Sequence, residues 1–138
     1  MRIENRKARY DYHIVESYEA GICLLGSEVK QLKSGKGSIV DAYCFFNNNQ
    51  LILKSTEIPV ANNAFQHEPR RDRQLLLHKR ELHRLKSDLT TGMSIVPLVI
   101  YEKKGRIKVN IALVRGKRDY DKRQDIKERE DKRRMKDL

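Results

Sequence analysis

The side chains that could do catalytic or metal chemistry are scattered along this sequence. His78 and His83 lie five residues apart, which on a helix would turn them about 140° away from each other. Cys23 and Cys44 belong to no CxxC pair and have no histidine at ligand spacing, so neither a zinc site nor a disulfide framework is indicated. We therefore predict no metal site and expect both cysteines to be reduced residues packed in the core.

Nucleotide-binding and acid–base patterns also fail. Gly21 and Gly26 have the glycine spacing of a phosphate-binding loop, but Ser-Glu follows where such a loop has Lys and then Ser or Thr. Three carboxylates could in principle act as acid and base, but their spacing gives no reason to bring them together. They are Glu16, Glu19 and Glu28. The sequence therefore predicts no enzyme, no cofactor and no small-molecule substrate.

Positive charge is the chemistry that the sequence does offer. Its 138 residues include 30 Lys and Arg against 19 Asp and Glu, a net charge of +11. Such an excess on one small chain favours a polyanion, either nucleic acid or an anionic membrane. The apolar stretch 93–101 is far shorter than the roughly 20 residues of a spanning helix, and the N-terminus has no secretory signal. We expect a cytoplasmic protein that binds nucleic acid and no membrane.

The body of the chain reads mostly as antiparallel strands. Apolar and polar residues alternate over 106–114, and a Lys-Lys-Gly turn joins this strand to 94–102 in a hairpin. Pro97 indicates an edge or a bulge there. A second hairpin joins 39–46 to 51–57 through three asparagines that tolerate left-handed backbone. The other predicted elements are strands at 10–18 and 22–25, helices at 28–33 and 78–89, and a long loop at 58–74.

These elements favour a mainly β fold, a small antiparallel barrel of the oligonucleotide-binding type with two or three short helices. Charge density rises after Val114: the last 24 residues contain eleven basic, seven acidic and six other residues. These few apolar side chains cannot offset the entropy lost on ordering. We therefore expect this basic tail to be disordered in the isolated protein. Acid-to-base pairs at i,i+4 would support a helix once a partner holds it. The predicted division is a barrel at 1–114 and a tail at 115–138.

Four blocks of the sequence, in order, match a known pattern almost from end to end. The blocks are 5–9, 18–30 with 34–36, 73–82, and 116–123 with 126–130. Together they resemble the SsrA-binding protein family, small protein B, of bacterial trans-translation. The resemblance implies a protein without catalytic activity, expected to be a monomer. Its barrel would grip the tRNA-like domain of transfer-messenger RNA, and its tail would enter the 16S rRNA decoding centre of a stalled ribosome.

The same resemblance implies RNA contacts for residues of the barrel. Glu19 matches the family's RNA-site glutamate, Leu76 matches the middle leucine of a Leu-Leu-Leu run, and His78 stands where some members have Asn. A glutamate can accept from a base edge or a 2′-hydroxyl, and so provide selectivity while Lys and Arg provide affinity. A surface ion pair for Glu19 and core burial for Leu76 are the structural alternatives. The expected RNA-binding residues are Asn5, Arg6, Lys7, Glu19, Lys30, Lys36, Leu76 and His78.

In the tail, the resemblance implies contacts with the ribosome. Tyr120 occupies a His-or-Tyr position that is expected to stack on a base of the decoding centre, and a vacant mRNA channel would be the condition for entry. The expected ribosome-binding residues are Gly116, Lys117, Arg118, Tyr120, Asp121, Lys122 and Arg123. The alternative hypothesis is a general single-strand RNA-binding or ribosomal protein without a rescue function.

Overall fold

The computed structural model describes residues 1–61, 66–117 and 127. Over these residues the chain forms seven strands and three named helices. In chain order they are β1 (Arg2–Glu4), α1 (Arg6–Asp11), β2 (Tyr12–Ile22), α2 (Gly26–Lys33), β3 (Tyr43–Asn47), β4 (Gln50–Lys54), β5 (Arg73–Leu76), α3 (Lys79–Asp88), β6 (Met93–Lys103) and β7 (Arg106–Gly116).

The strands form one antiparallel sheet that closes on itself. Around the ring, β7 pairs with β2, β2 with β5, β5 with β4, and β4 with β3. The ring closes because β6 pairs with β7 along its length and meets β3 where Ile95 faces Cys44. β1 adds to β6 further along, with Arg2 opposite Tyr101. The predicted mainly β, barrel-like fold of the oligonucleotide-binding type with short helices is confirmed.

Two apolar clusters hold the barrel together. The larger one fills its interior, where alternate residues of the strands point inward, as in any small closed sheet. The smaller one lies outside β6 and β7, under α1. Fully buried members of the larger cluster include Ala20, Leu32, Leu51, Leu53, Ile100, Val109 and Ile111; the smaller cluster contains Ala8, Val96, Leu98, Ala112 and Val114.

Asn5 fixes α1 to the outside of the barrel. Its side-chain oxygen caps the helix by accepting from the Ala8 N–H at 3.2 Å. Its amide group donates to the Ile39 and Pro97 carbonyl oxygens at 3.1 and 3.0 Å. The residue is 3% exposed, so these bonds satisfy a side chain that would otherwise be costly to bury.

Both predicted hairpins are confirmed, with their turns. In the turn between β3 and β4, Asn48 has φ 57°. In the turn between β6 and β7, Lys104 and Gly105 have φ 51° and 78°, the left-handed pair typical of a two-residue hairpin turn. The register of β6 against β7 shifts between Pro97 and Val99, which is the bulge that the proline indicated. The two predicted helices are confirmed as α2 and α3.

Other predictions from the sequence were wrong. Residues 10 and 11 belong to α1, and the separate strand predicted at 22–25 is absent because β2 continues unbroken to Ile22. The predicted loop at 58–74 ends at β5, whose Arg73 is completely buried. Cys44 lies in the core, where burial raises the pKa of its thiol, but Cys23 is exposed because the chain leaves the barrel there to begin α2.

β7 ends at Gly116, two residues beyond the predicted end of the barrel at 114. Gly116 pairs with Tyr12, and the Lys117 N–H donates to the Asp11 carbonyl oxygen at 2.9 Å. The remaining predictions for the tail, its disorder and its bound helix, lie outside the described residues.

A buried ion pair joins α2 to β5. Glu28 and Arg73 are both 0% exposed, and the Arg73 Nε donates to Glu28 Oε2 at 2.6 Å. The guanidinium also donates to the Thr56 and Pro69 carbonyl oxygens, at 2.7 and 3.2 Å. Burial alone would raise the pKa of Glu28, but hydrogen bonds from Arg71, the Leu25 N–H and Arg73 lower it overall.

We predict that Glu28→Gln destabilises the protein by about 3–5 kcal/mol, because it leaves the Arg73 charge buried without a counterion. Since the folded-state pKa of Glu28 lies below its ordinary value of 4.5, its stabilisation is complete above that pH and is lost as the pH falls through the lowered pKa. Urea denaturation over a pH series should therefore show a large difference between wild type and variant at pH 7 that narrows in acid.

The matched control is Glu57→Gln. Glu57 pairs with Arg70 at 3.5 Å, and both side chains are at least half exposed, so its loss should cost less than about 1 kcal/mol. Equal destabilisation by the two substitutions would contradict the special role of the buried pair.

Candidate nucleic-acid interface

Five strands place one residue each in a line across the outside of the barrel, which we call the outer row. Register puts Arg2 opposite Tyr101, Tyr101 opposite Lys108, Lys108 opposite Gly21, and Gly21 opposite Leu76. Directly paired residues share a face of a sheet, and four strand spacings make the row about 19 Å wide. The outer row is therefore broad enough to meet a nucleic acid across several nucleotides.

Glu19 stands beside the outer row and is held by two side chains of β6. It lies two residues before Gly21, on the same outward face of β2, and is exposed. The Tyr101 hydroxyl donates to Glu19 Oε2. The Lys103 ammonium donates to Oε1 and Oε2 at 3.2 and 3.3 Å. The carboxylate is thus fixed in direction while part of it stays open to a partner.

These contacts also keep Glu19 ionised. The hydrogen bonds from Tyr101 and Lys103 lower the pKa of Glu19 below its usual range. Burial, the bond to Glu19 and the charge of that carboxylate raise the pKa of Tyr101 to about 12. At neutral pH the pair is therefore a phenol donor and a charged acceptor, and the acceptor faces outward on a cationic surface.

An open cavity of about 310 Å³ lies over one end of the outer row. Gly21 and Leu76 form part of its lining, and Arg106 and Lys108 bring positive charge to it. Leu24 and Val29, from the segment that leads into α2 and from α2 itself, complete its apolar side. A larger groove, about 670 Å³, lies elsewhere, between α1, β3 and the start of β6.

The structure brings Glu19 and Leu76 to one surface, as a shared RNA site requires. Leu76 is 51% exposed, because it points outward from β5, so the alternative of core burial is excluded. The surface ion pair that was the alternative for Glu19 is present, with Lys103. That pair does not remove Glu19 from the surface, since its side chain remains 40% exposed.

The N-terminal residues are divided between structure and surface. Asn5 is buried and has its polar atoms bonded within the protein, so its geometry accounts for a structural role. Arg6 is 92% exposed and lies 3.7 Å from Glu4, which stands on β1 at the edge of the sheet. Lys7 is exposed and lines the larger groove.

The three remaining candidates of the barrel, Lys30, Lys36 and His78, are exposed. Lys30 is exposed on α2, and Lys36 is exposed just beyond the end of that helix. His78 is an exposed residue at the start of α3, and its backbone N–H donates to Glu81 Oε1 at 3.1 Å. It follows Leu76, the last residue of β5, by two residues.

Of the tail candidates, the structure describes the first two. Gly116 ends β7, and Lys117 follows it beside Asp11. The others lie outside the described residues: Arg118, Tyr120, Asp121, Lys122 and Arg123.

Sequence reasoning missed several residues of this surface: Arg2, Gly21, Tyr101, Lys103, Arg106 and Lys108. Each belongs to a strand and gains its place from register with a distant strand, so no local pattern marks it. Gly21 fell between the strands predicted at 10–18 and 22–25, and the structure places it near the end of β2.

Within residues 1–61 and 66–117 no group of three or more His, Cys, Asp or Glu is arranged to hold a metal ion. The described helices also include none that is long and apolar enough to cross a membrane.

Comparisons with known proteins cover nearly the whole chain. The SmpB protein family matches residues 2–138. An SsrA-binding protein of Trichodesmium erythraeum (strain IMS101) is 48% identical over 136 residues, covering 96% of this chain and 87% of that protein. The SsrA-binding protein of Thermobifida fusca (strain YX) is 48% identical over 135 residues, covering 96% and 84%.

A solved structure described as "tmRNA-SmpB: a journey to the center of the bacterial ribosome" contains a similar chain. The two chains are 43% identical with a TM-score of 0.72, over 86% of this chain and 85% of the other. A family match from residue 2 to residue 138, together with relatives at this identity, shows that the chain belongs to the SmpB family.

Proposed function

We propose that this protein binds the tRNA-like domain of transfer-messenger RNA and delivers it to stalled ribosomes for trans-translation. The observation that carries the proposal is similarity over almost the entire chain to proteins named for binding SsrA, the transfer-messenger RNA. The protein acts without catalysis, as an RNA-binding adaptor, in the cytoplasm where ribosomes work.

The distribution of charge supports an RNA-binding body. Residues 118–138 contain nine basic and seven acidic residues, so they contribute only +2 to the net charge of +11. Residues 1–117 carry the remaining +9. Affinity for a polyanion grows with the number of phosphates that are neutralised, so the body should supply most of the RNA affinity.

The direction of β7 supports the separation of the two roles. Lys108, near one end of the strand, lies in the outer row, whereas Gly116 at the other end leads into the tail. Eight residues of extended strand separate them by about 27 Å. A transfer-messenger RNA held at the outer row would therefore leave the start of the tail free to meet the ribosome.

Glu19 supports selectivity for one RNA. A carboxylate is unfavourable beside phosphate, so a cationic surface that needed only affinity would gain nothing from it. Held by Tyr101 and Lys103, its oxygens can accept from a base edge or a 2′-hydroxyl at a fixed position. Bulk RNA would meet the same charges without placing a donor there.

We predict that truncation after Lys117 leaves affinity for the tRNA-like domain within about twofold, because the body carries most of the net charge. The same truncation should abolish tagging of stalled peptides in a reconstituted translation system. This end point keeps β7 complete, including its pairing with β2. Loss of RNA binding in the truncated protein would contradict the separation of roles.

We predict that Glu19→Gln reduces the preference for the tRNA-like domain over bulk RNA by about tenfold, the effect of losing one hydrogen bond to a charged group. Competition binding with both RNAs measures it. Glu102→Gln is the matched control. It too removes one exposed carboxylate, here from β6, where Glu102 pairs with Lys33 at 3.7 Å. This variant should keep the wild-type preference. If Glu19→Gln prefers the tRNA-like domain as strongly as Glu102→Gln does, Glu19 has only a structural role.

We predict that Tyr120→Ala spares RNA binding and impairs accommodation on the ribosome, because the tail loses the ring that is proposed to stack on a base. Tyr120→His should keep activity, since imidazole can also stack. Rates of tagging on ribosomes with a vacant A site compare the two. If the alanine variant tags as fast as the wild type, Tyr120 does not stack there.

A further inference from the structure

Gly21 is the member of the outer row that has no side chain, and the fold does not explain why. Its φ is not in the left-handed region, and a Cβ added to it would meet Leu76 Cβ at 3.4 Å, an ordinary van der Waals contact. Glycine within a strand is unfavourable, since it adds backbone entropy and packs nothing. The barrel would therefore accept alanine at this position, and an explanation from outside the fold is needed.

The absence of a side chain leaves a depression across the outer row. Leu76 flanks Gly21 on one neighbouring strand and Lys108 flanks it on the other. Two strand spacings separate these flanking residues, about 9.6 Å. The cavity of about 310 Å³ described above lies over this depression, at the small end of the range for small-molecule sites.

The lining of this cavity combines the features that a nucleotide needs. Its apolar lining includes Leu24, Val29 and Leu76, whereas Arg106 and Lys108 supply positive charge. An unstacked base can lie against an apolar side chain while cationic groups meet its phosphate.

We propose that the depression over Gly21 is a binding slot for one unpaired nucleobase of the RNA, with its face against Leu76 and its phosphate at Arg106 and Lys108. The inference rests on the proposed function and adds a base-specific subsite to it. Glu19, about 6.6 Å along β2 from Gly21, stands at the end of the slot where it can accept from the polar edge of that base or its neighbour. Glycine is needed because any side chain would fill the floor.

The test is Gly21→Ala in the full-length protein, with the tRNA-like domain of transfer-messenger RNA as the probe. The added methyl group occupies the floor of the slot, so affinity should fall by roughly five- to a hundredfold, the range that stacking of one base is worth. The thermal midpoint of the free protein should stay the same or rise, because alanine removes backbone freedom from the unfolded chain. A loss of RNA affinity without a loss of thermal stability distinguishes an occupied slot from a structural glycine.

Gly26→Ala is the matched control. Like Gly21, Gly26 can accept a Cβ without a clash, since nothing lies within 4 Å of an added Cβ. It does not line the cavity over the outer row. This substitution should leave RNA affinity unchanged.

Methyl NMR of the wild-type protein gives a second, direct measurement. A base lying over the slot would shift the methyl resonances of Leu24, Val29 and Leu76 upfield through its ring current when the tRNA-like domain is added. Methyl shifts that stay in place, or Gly21→Ala binding as tightly as the wild type, would overturn the slot while leaving the proposed function intact. A wild-type protein with no preference for the tRNA-like domain would instead refute the proposed function.

Discussion

The buried ion pair between Glu28 and Arg73 is the interaction on which the end of the barrel with the proposed RNA site depends. β5 is only four residues long, yet it is the strand that joins β4 to β2 and so keeps the sheet closed. So short a strand has few hydrogen bonds to fix its register. The Arg73 guanidinium adds hydrogen bonds that fix the position of β5, to Glu28 and to two carbonyl oxygens of the preceding chain.

The position of the site follows from this anchor. Leu76 lies three residues after Arg73 in β5, and it is placed opposite Gly21 only while β5 keeps its register with β2. A slip of one residue would turn Leu76 into the barrel and its neighbour outward. The same ion pair holds the start of α2, which brings Val29 to the cavity. Buried charge here therefore specifies a geometry, and an apolar pair of equal stability would leave the register less defined.

The extent to which sequence could predict this fold depended on the length of each element. The hairpin of β6 and β7 has eleven residues in each strand, an alternating pattern and a proline at its bulge, so local signals agreed. β1 has three residues and α1 has six, which is too short for a period to emerge. β5 was hidden because Arg73, in a basic run, looks like surface charge, whereas a partner 45 residues away allows it to be buried.

The site was predictable only in part, for a related reason. Glu19 and Leu76 were found through family resemblance, and their types suit an RNA surface. Tyr101 and Lys103 act on Glu19 from more than 80 residues away, a distance that periodicity within one strand does not reach. The hairpin turn sets the register of Tyr101 and Lys103 against β7. Their diagonal contact with Glu19 also needs the register of β7 against β2, which the sequence leaves open.

In the proposed RNA site, affinity and selectivity therefore come from different features of one surface. A net charge of +9 over residues 1–117 attracts every RNA, and the attraction weakens with salt in proportion to the phosphates engaged. Selectivity needs features whose value depends on the shape of the partner. The Glu19 carboxylate, fixed by Tyr101, and the depression over Gly21 are proposed to be of this kind. Each contributes binding energy only with an RNA that places a donor or an unpaired base at that point. Raising salt should accordingly weaken all RNA binding while the ratio between the correct RNA and its competitors is kept or increased, since hydrogen bonds and stacking are screened far less than phosphate contacts.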